Sequence, residues 1–284
     1  MVDGMTLPLV RSILVALLLL PTAFAASPSS PADELYLGWM KMYDLRFDEA
    51  RQNIVRWEKA HPSDALGPVS QAGGYLYAEF ARMGVLESEL FVDDHRFTHR
   101  KRLQPDPEVK RLFFQQADAA DQLADGKLQS SPNDHDALFA KSLTLGLRAD
   151  YASLVEKQNL DALSFTKQSR IFAERLLQMD AQAYDAYLAP GVENYLLSLK
   201  ALPIRFVLHL TGANVDREKG IAQIKMTAEH GHYLEPFAKV LLAVAALRDK
   251  DNARARVLLQ ELHDRFPGNT LYMHELSLLT ASTR

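Results

Sequence analysis

Apolar residues recur along this chain at intervals of three and four, and no segment alternates apolar with polar residues long enough to argue for a strand. The pattern predicts helices almost throughout, arranged as antiparallel pairs. Two stretches share one set of offsets. Leu37-Gly38 is followed by Phe47-Asp48-Glu49-Ala50, then Ile54, Trp57 and Pro62; Leu242-Ala243 is followed by Ala255, Leu259, Leu262 and Pro267. Residues three and four apart share a helix face, so Ile54 with Trp57, and Leu259 with Leu262, form stripes aimed at a neighbouring pair. Small residues at Gly38, Ala50, Ala243 and Ala255 let backbones approach. Pro62 and Pro267 end the second helices, because proline lacks an N–H and disfavours a helical residue before it.

These residues resemble the tetratricopeptide repeat, a helix–turn–helix unit with a small residue early in its first helix, a small residue opening its second and a closing proline. The resemblance implies an all-α, right-handed solenoid of about five helix pairs with long insertions and a C-terminal capping helix, because one pair cannot bury its apolar face alone. The first pair runs from about 31 to 62. The second opens at Ser63, with a first helix through Leu66, Val69, Gly73 and Leu76, an insertion over about 83–106, and a second helix from about Pro107 to Gln129. The third begins near Asn133, with Ala140 at the small position and a second helix from about Leu160 to Met179. The fourth begins near Gln182, has Leu188-Ala189 at the Leu-small position, and closes with a helix capped by Asp216 and stopped by Gly231. Pro190-Gly191 is expected to kink or split its first helix. The fifth is the Leu242–Pro267 unit, and Asn269 to Thr280 makes the cap.

A closer similarity covers the last third of the chain. Gly191-Val192-Glu193-Asn194-Tyr195-Leu196-Leu197-Ser198-Leu199, Leu202-Pro203, Leu210-Thr211-Gly212 and Asp216-Arg217-Glu218-Lys219-Gly220 resemble a stretch of the eukaryotic tetratricopeptide group that includes the inclusion-body clearance protein. That resemblance implies a helical scaffold without catalytic activity. An export signal sets this chain apart from the intracellular members, so their cellular roles do not carry over.

The N-terminus supplies that signal. Arg11 precedes the apolar run Ile13 to Leu20, Pro21 breaks it, and Ala23-Phe24-Ala25 is a small-x-small cleavage site. The run is far below the roughly 18 to 20 residues that span a bilayer. Residues 1–25 are thus expected to be a signal peptide, 26–31 a tether and 32–284 the repeat domain, in a periplasmic or secreted protein with no transmembrane segment after processing. Leu196 to Gly212 is apolar but interrupted by Lys200, Pro203, Arg205 and His209, which favours a helical hairpin packed on the solenoid. The chain has no cysteine, excluding disulfides, zinc–thiolate sites, cysteine nucleophiles and lipidation at a signal-peptide cysteine. Its net charge of −4 argues against nucleic acid as a partner.

Candidate chemistry is sparse. No Gly-rich phosphate loop, nucleophile elbow or HExxH helix occurs, so no enzyme activity and no cofactor is expected. His95 and His99 stand four apart after Asp93-Asp94 without a third ligand, and the basic run Arg96, Arg100, Lys101 and Arg102 follows a string of acids, so neither reads as a metal or anion site. The tetratricopeptide resemblance places first-helix residues in a concave groove: Tyr36, Trp39, Met42 and Tyr43 in the first pair, Gln71 and Tyr75 in the second, Tyr187, Glu193 and Asn194 in the fourth, and Val244 and Arg248 in the fifth. Aromatic anchors with a few polar groups suit a protein or peptide partner of the cell envelope. The alternatives are a small apolar or carbohydrate ligand held between groove and insertion, or aromatics packed against the next pair. Edman sequencing of the protein recovered from the envelope is expected to begin at Ala26; a start at Met1 in a cytoplasmic product would remove the export reading.

Overall fold

The structure, a computed structural model, describes residues 31–85, 104–199 and 216–281. Among these residues there are 11 α-helices and no strand. They run as α1 (Pro31–Tyr43), α2 (Phe47–Ala60), α3 (Leu66–Arg82), α4 (Pro107–Ser130), α5 (His135–Asp150), α6 (Asn159–Met179), α7 (Leu188–Ser198), α8 (Arg217–His230), α9 (Glu235–Arg248), α10 (Asn252–Arg265) and α11 (Thr270–Ala281). Each helix packs on the next in the chain, and α1, α3, α5 and α7 also touch in succession as inner helices. The signal peptide, the tether, most of the 83–106 insertion with its histidines and basic run, and the 196–212 hairpin beyond Leu199 lie outside the described residues.

Local chemistry explains where the helices begin. Asp106, Asp134, Asp216 and Asp251 each accept a first-turn N–H of the helix that follows, which satisfies a donor with no partner inside the helix. The first helices of the two outer pairs end alike. α1 ends with Leu45 left-handed (φ 58°) and the Arg46 N–H on the Lys41 carbonyl at 2.9 Å. α9 ends with Lys250 left-handed (φ 61°) and the Asp251 N–H on the Ala246 carbonyl, also at 2.9 Å. α3 closes the same way, with Gly84 left-handed (φ 64°) and the Val85 N–H on the Phe80 carbonyl. This Schellman ending sets the angle at which each second helix leaves. The expected stripes are buried as the offsets require: Ile54, Trp57, Leu259 and Leu262 all belong to one continuous core.

Two elements depart from regular α-helix. A π-helical turn over Tyr151–Glu156, ended by left-handed Lys157, extends α5 beyond the simple pair. The first helix of the fourth pair is divided: a 3-10 turn, Tyr184–Tyr187, runs directly into α7 at Leu188, and Pro190 sits in the first turn of α7.

Gly38 marks a close approach, an added Cβ there lying 2.7 Å from Ile54 Cγ1 and 3.3 Å from the Ala50 carbonyl oxygen. Gly220, which the small-residue positions did not include, marks a tighter one. At Gly220, where α8 crosses α7, an added Cβ would lie 2.6 Å from the Tyr195 nitrogen and 2.9 Å from the Gly191 oxygen. Gly126, inside α4, has nothing within 4 Å of the same point. Gly220→Ala is therefore expected to cost about 1–3 kcal/mol by forcing two backbones apart, while Gly126→Ala gains about 0.5–1 kcal/mol from helix propensity. Denaturant melts of the two variants check the opposite signs.

Candidate functional site

The aromatic residues expected to line an open groove are packed together. Trp39 (2 % exposed) and Tyr43 (9 %) belong to the core. Their rings meet Tyr233 from the start of the fifth pair and Phe266 from its end: Trp39–Tyr233 is 6.0 Å and Tyr43–Phe266 5.8 Å between centroids. Phe139 of α5 stacks on Tyr233 at 6.4 Å, and Tyr77 of α3 meets Phe237 of α9 edge-on at 5.9 Å. Such pairs are worth about 0.5–1.5 kcal/mol each beyond buried area. The first and last pairs are thus brought face to face, and the surface that Trp39 and Tyr43 would offer a peptide is covered by the chain itself.

Hydrogen bonds hold this seam. The Tyr43 hydroxyl donates to the Tyr233 carbonyl at 2.9 Å, and the Asn269 side-chain amide donates to the Tyr43 carbonyl at 2.9 Å. The Gly268 N–H donates to Asp44 Oδ1 at 2.7 Å, and Arg265 donates to the Tyr36 hydroxyl at 2.9 Å. Burial first, and nearby negative charge second, raises the Tyr43 phenol well above its ordinary range and the Tyr233 phenol to about 12, so both remain protonated. Asp185, from the 3-10 turn of the fourth pair, accepts the N–H groups of His232, Tyr233 and Leu234 at 2.9–3.1 Å.

The remaining expected groove residues fall elsewhere. Glu193 is fully buried and takes a 2.5 Å bond from Arg170 of α6, which also holds Glu174 at 2.6 Å. Asn194 donates to Gln223 of α8 at 3.0 Å, and its own carbonyl oxygen finds no donor among the described residues. These two tie α7 to its neighbours on either side. Tyr75 lies half-buried under the Arg51 guanidinium, 4.9 Å from its ring centre. Tyr187 is half-buried and donates to the Ala181 carbonyl at 3.3 Å, and Arg248 is half-buried near the end of α9. The eight residues therefore do not converge on one surface.

What stands open is a cleft between α8 and α10, floored by α9. One cavity of about 530 Å³ includes Tyr36, His232, Glu235, Lys239 and Arg265; a second, of about 320 Å³, includes Arg217, Ile221 and Ala245. Both are lined by Lys225, Leu242 and Arg254, so they run together along α8. Lys239 bridges Glu235 (2.9 Å) and Glu261 (3.0 Å), Arg265 pairs with Glu235, and Arg217 pairs with Asp249 at 2.5 Å. Burial opposes the Lys239 charge, yet the bonds to Glu235 and Glu261 hold its ammonium above the ordinary lysine range. Of the groove residues read from sequence, Tyr36 alone reaches this cleft, as one wall beside His232 on which its ring stacks at 4.8 Å. Among the described residues no cluster of three histidine or acidic side chains is placed to hold a metal, and no helix is long and apolar enough to cross a membrane.

Asp150 escaped the sequence reading. It ends α5, where a carboxylate opposes the helix dipole, and it makes no hydrogen bond or ion pair among the described residues. Burial pushes its carboxyl up to about 7. The signal lay in the sequence as an acid at a helix C-terminus just after Arg148, yet that arginine turns to Asp118 and Asp121 of α4 instead.

The chain matches no family model, no curated protein and no solved structure.

A carboxyl raised from 3.8 to about 7 stays protonated in the folded state after the unfolded chain has released its proton. Its contribution to stability is complete below the unfolded value and is lost as the pH rises through 7. Asp150→Asn, neutral at every pH, is therefore expected to melt above the parent at pH 8, with the gap closing towards pH 4. Thermal melts across that range check it; a gap independent of pH would show that Asp150 titrates as an ordinary aspartate.

Proposed function

We propose that the chain is an exported, non-enzymatic tetratricopeptide-type scaffold that holds a segment of a protein partner of the cell envelope in the cleft between α8 and α10. The architectural part rests on helix pairs stacked in chain order and on the repeated Schellman endings of α1, α3 and α9. The site rests on one observation: the inner aromatic surface is consumed by contact between the first and last pairs, while the cleft is open and continuous along α8. α8 has 14 residues, so the cleft runs alongside about 20 Å of helix. An apolar floor of Leu242, Ala245 and Ala246 beneath charged walls suits an amphipathic helix or extended peptide laid along it.

Lys225 and Arg254 are the polar groups best placed to orient such a segment. They face the junction of the two cavities and make no ion pair among the described residues, whereas Arg217, Lys239 and Arg265 are already paired. Photo-crosslinking in envelope preparations tests the reading. A photoreactive residue at Ala222 or Leu258, in the cleft, is expected to trap a discrete adduct, and Lys225→Glu with Arg254→Glu to reduce its yield at least about tenfold, as losing two charged contacts implies. The same label at Leu160, exposed on α6, is expected to trap none. Equal adducts from all three positions would remove the cleft as the site.

A further inference from the structure

We propose that the seam joining α1 to the end of the array is a latch, and that its closure is linked to occupancy of the cleft. The linkage rests on the cleft reading above; the latch itself does not.

The buried rings of Trp39 and Tyr43, set against Tyr233 and Phe266, and hydrogen bonds made by side chains join the two sides of the seam. Each hydrogen bond across it among the described residues uses at least one side-chain group: Tyr43 on the Tyr233 carbonyl, Asn269 on the Tyr43 carbonyl, Asp44 on the Gly268 N–H, and Arg265 on the Tyr36 hydroxyl and the Met40 sulfur. Among the described residues no main-chain to main-chain hydrogen bond crosses it. Parting the seam therefore breaks no helix ladder. Trp39 keeps a hold on the near side, where its indole Nε1 donates to Ser70 of α3 at 3.0 Å. The far side is equally self-contained, since Asp185 fixes the 232–234 turn from within the fourth and fifth pairs.

The cleft straddles the same parting line. Tyr36 is its wall on α1, whereas the other lining residues belong to α8, α9, α10 and the turn between α8 and α9. Arg265 joins the two features, because its guanidinium bonds Tyr36 across the seam and Glu235 within the cleft. The cleft is complete only when the seam is shut. A partner that touches both walls binds the closed form better and so shifts the population towards closure, and by reciprocity closure raises its affinity.

The chain has no cysteine, so a pair can be introduced for spin labels. Leu37→Cys on α1 and Val257→Cys on α10 replace exposed residues, at 38 % and 58 %. Pulsed electron–electron resonance without any partner is expected to show a main short distance and a minor longer one. Gly268→Ala is the first perturbation: its Cβ would lie 2.8 Å from Asp44 Oδ1 and 2.9 Å from the Asp44 carbonyl oxygen, at a residue whose backbone is not left-handed. Losing the charge-assisted bond is expected to raise the open-to-closed ratio about tenfold with helical content unchanged, and Asp44→Ala is expected to do the same. One unchanged distance in all three proteins would overturn the latch. So would loss of helical signal in both variants, because the seam would then be part of the cooperative core. Two distances without a cleft adduct would keep the latch and remove the cleft reading, and an adduct yield indifferent to Gly268→Ala would overturn the linkage.

Discussion

The carboxylate of Asp185 organises the meeting of the two ends of this chain. It accepts three successive main-chain N–H groups in the turn that leads into α9. Burial raises its pKa, and the three main-chain bonds pull against that rise. A desolvated carboxylate is tolerated because the N–H groups of this turn, which no helix ladder satisfies, find their acceptor in it. With the turn fixed, the Tyr233 ring enters the aromatic cluster and the Tyr233 carbonyl meets the Tyr43 hydroxyl. The seam, the covered aromatic surface and the position of the cleft follow from that turn.

The face of α1 that carries Trp39 and Tyr43 is covered by the chain's own far end. Tyr36, Trp39 and Tyr43 lie on one stripe of α1, and the stripe divides by depth: Trp39 and Tyr43 are core, while Tyr36 reaches the cleft and takes a bond from Arg265. The polar pair Glu193 and Asn194 divides similarly, one residue turned to α6 and the other to α8. Both outcomes are packing decisions, in which a side chain of suitable type is used for cohesion wherever a neighbour comes within reach.

Much of the fold was legible in the residues. Helix starts at Pro107 and after Asp216, the buried stripe of Ile54 and Trp57, and the small residue at Gly38 each report a rule that acts between residues close in the chain. The break ahead of Pro190 was legible because proline is tolerated only near a helix start, though the 3-10 form of the preceding turn carries no composition signal of its own. The left-handed residues Leu45 and Lys250 were hidden for a related reason: neither is glycine, so only the matching hydrogen bonds reveal that both pairs turn alike.

By itself the sequence determined an array of helices, the helix faces that are buried and the places where backbones touch, because the periodicity, caps and small residues that encode them act between near neighbours in the chain. Tertiary structure alone decided that the ends of the array meet, that Trp39 and Tyr43 are core, and that an open cleft lies along α8. Those outcomes depend on partners as far apart as Tyr43 and Tyr233, 190 residues, and Tyr36 and Arg265, 229 residues. No local pattern specifies such pairs; they form only once the helices between them have packed on one another.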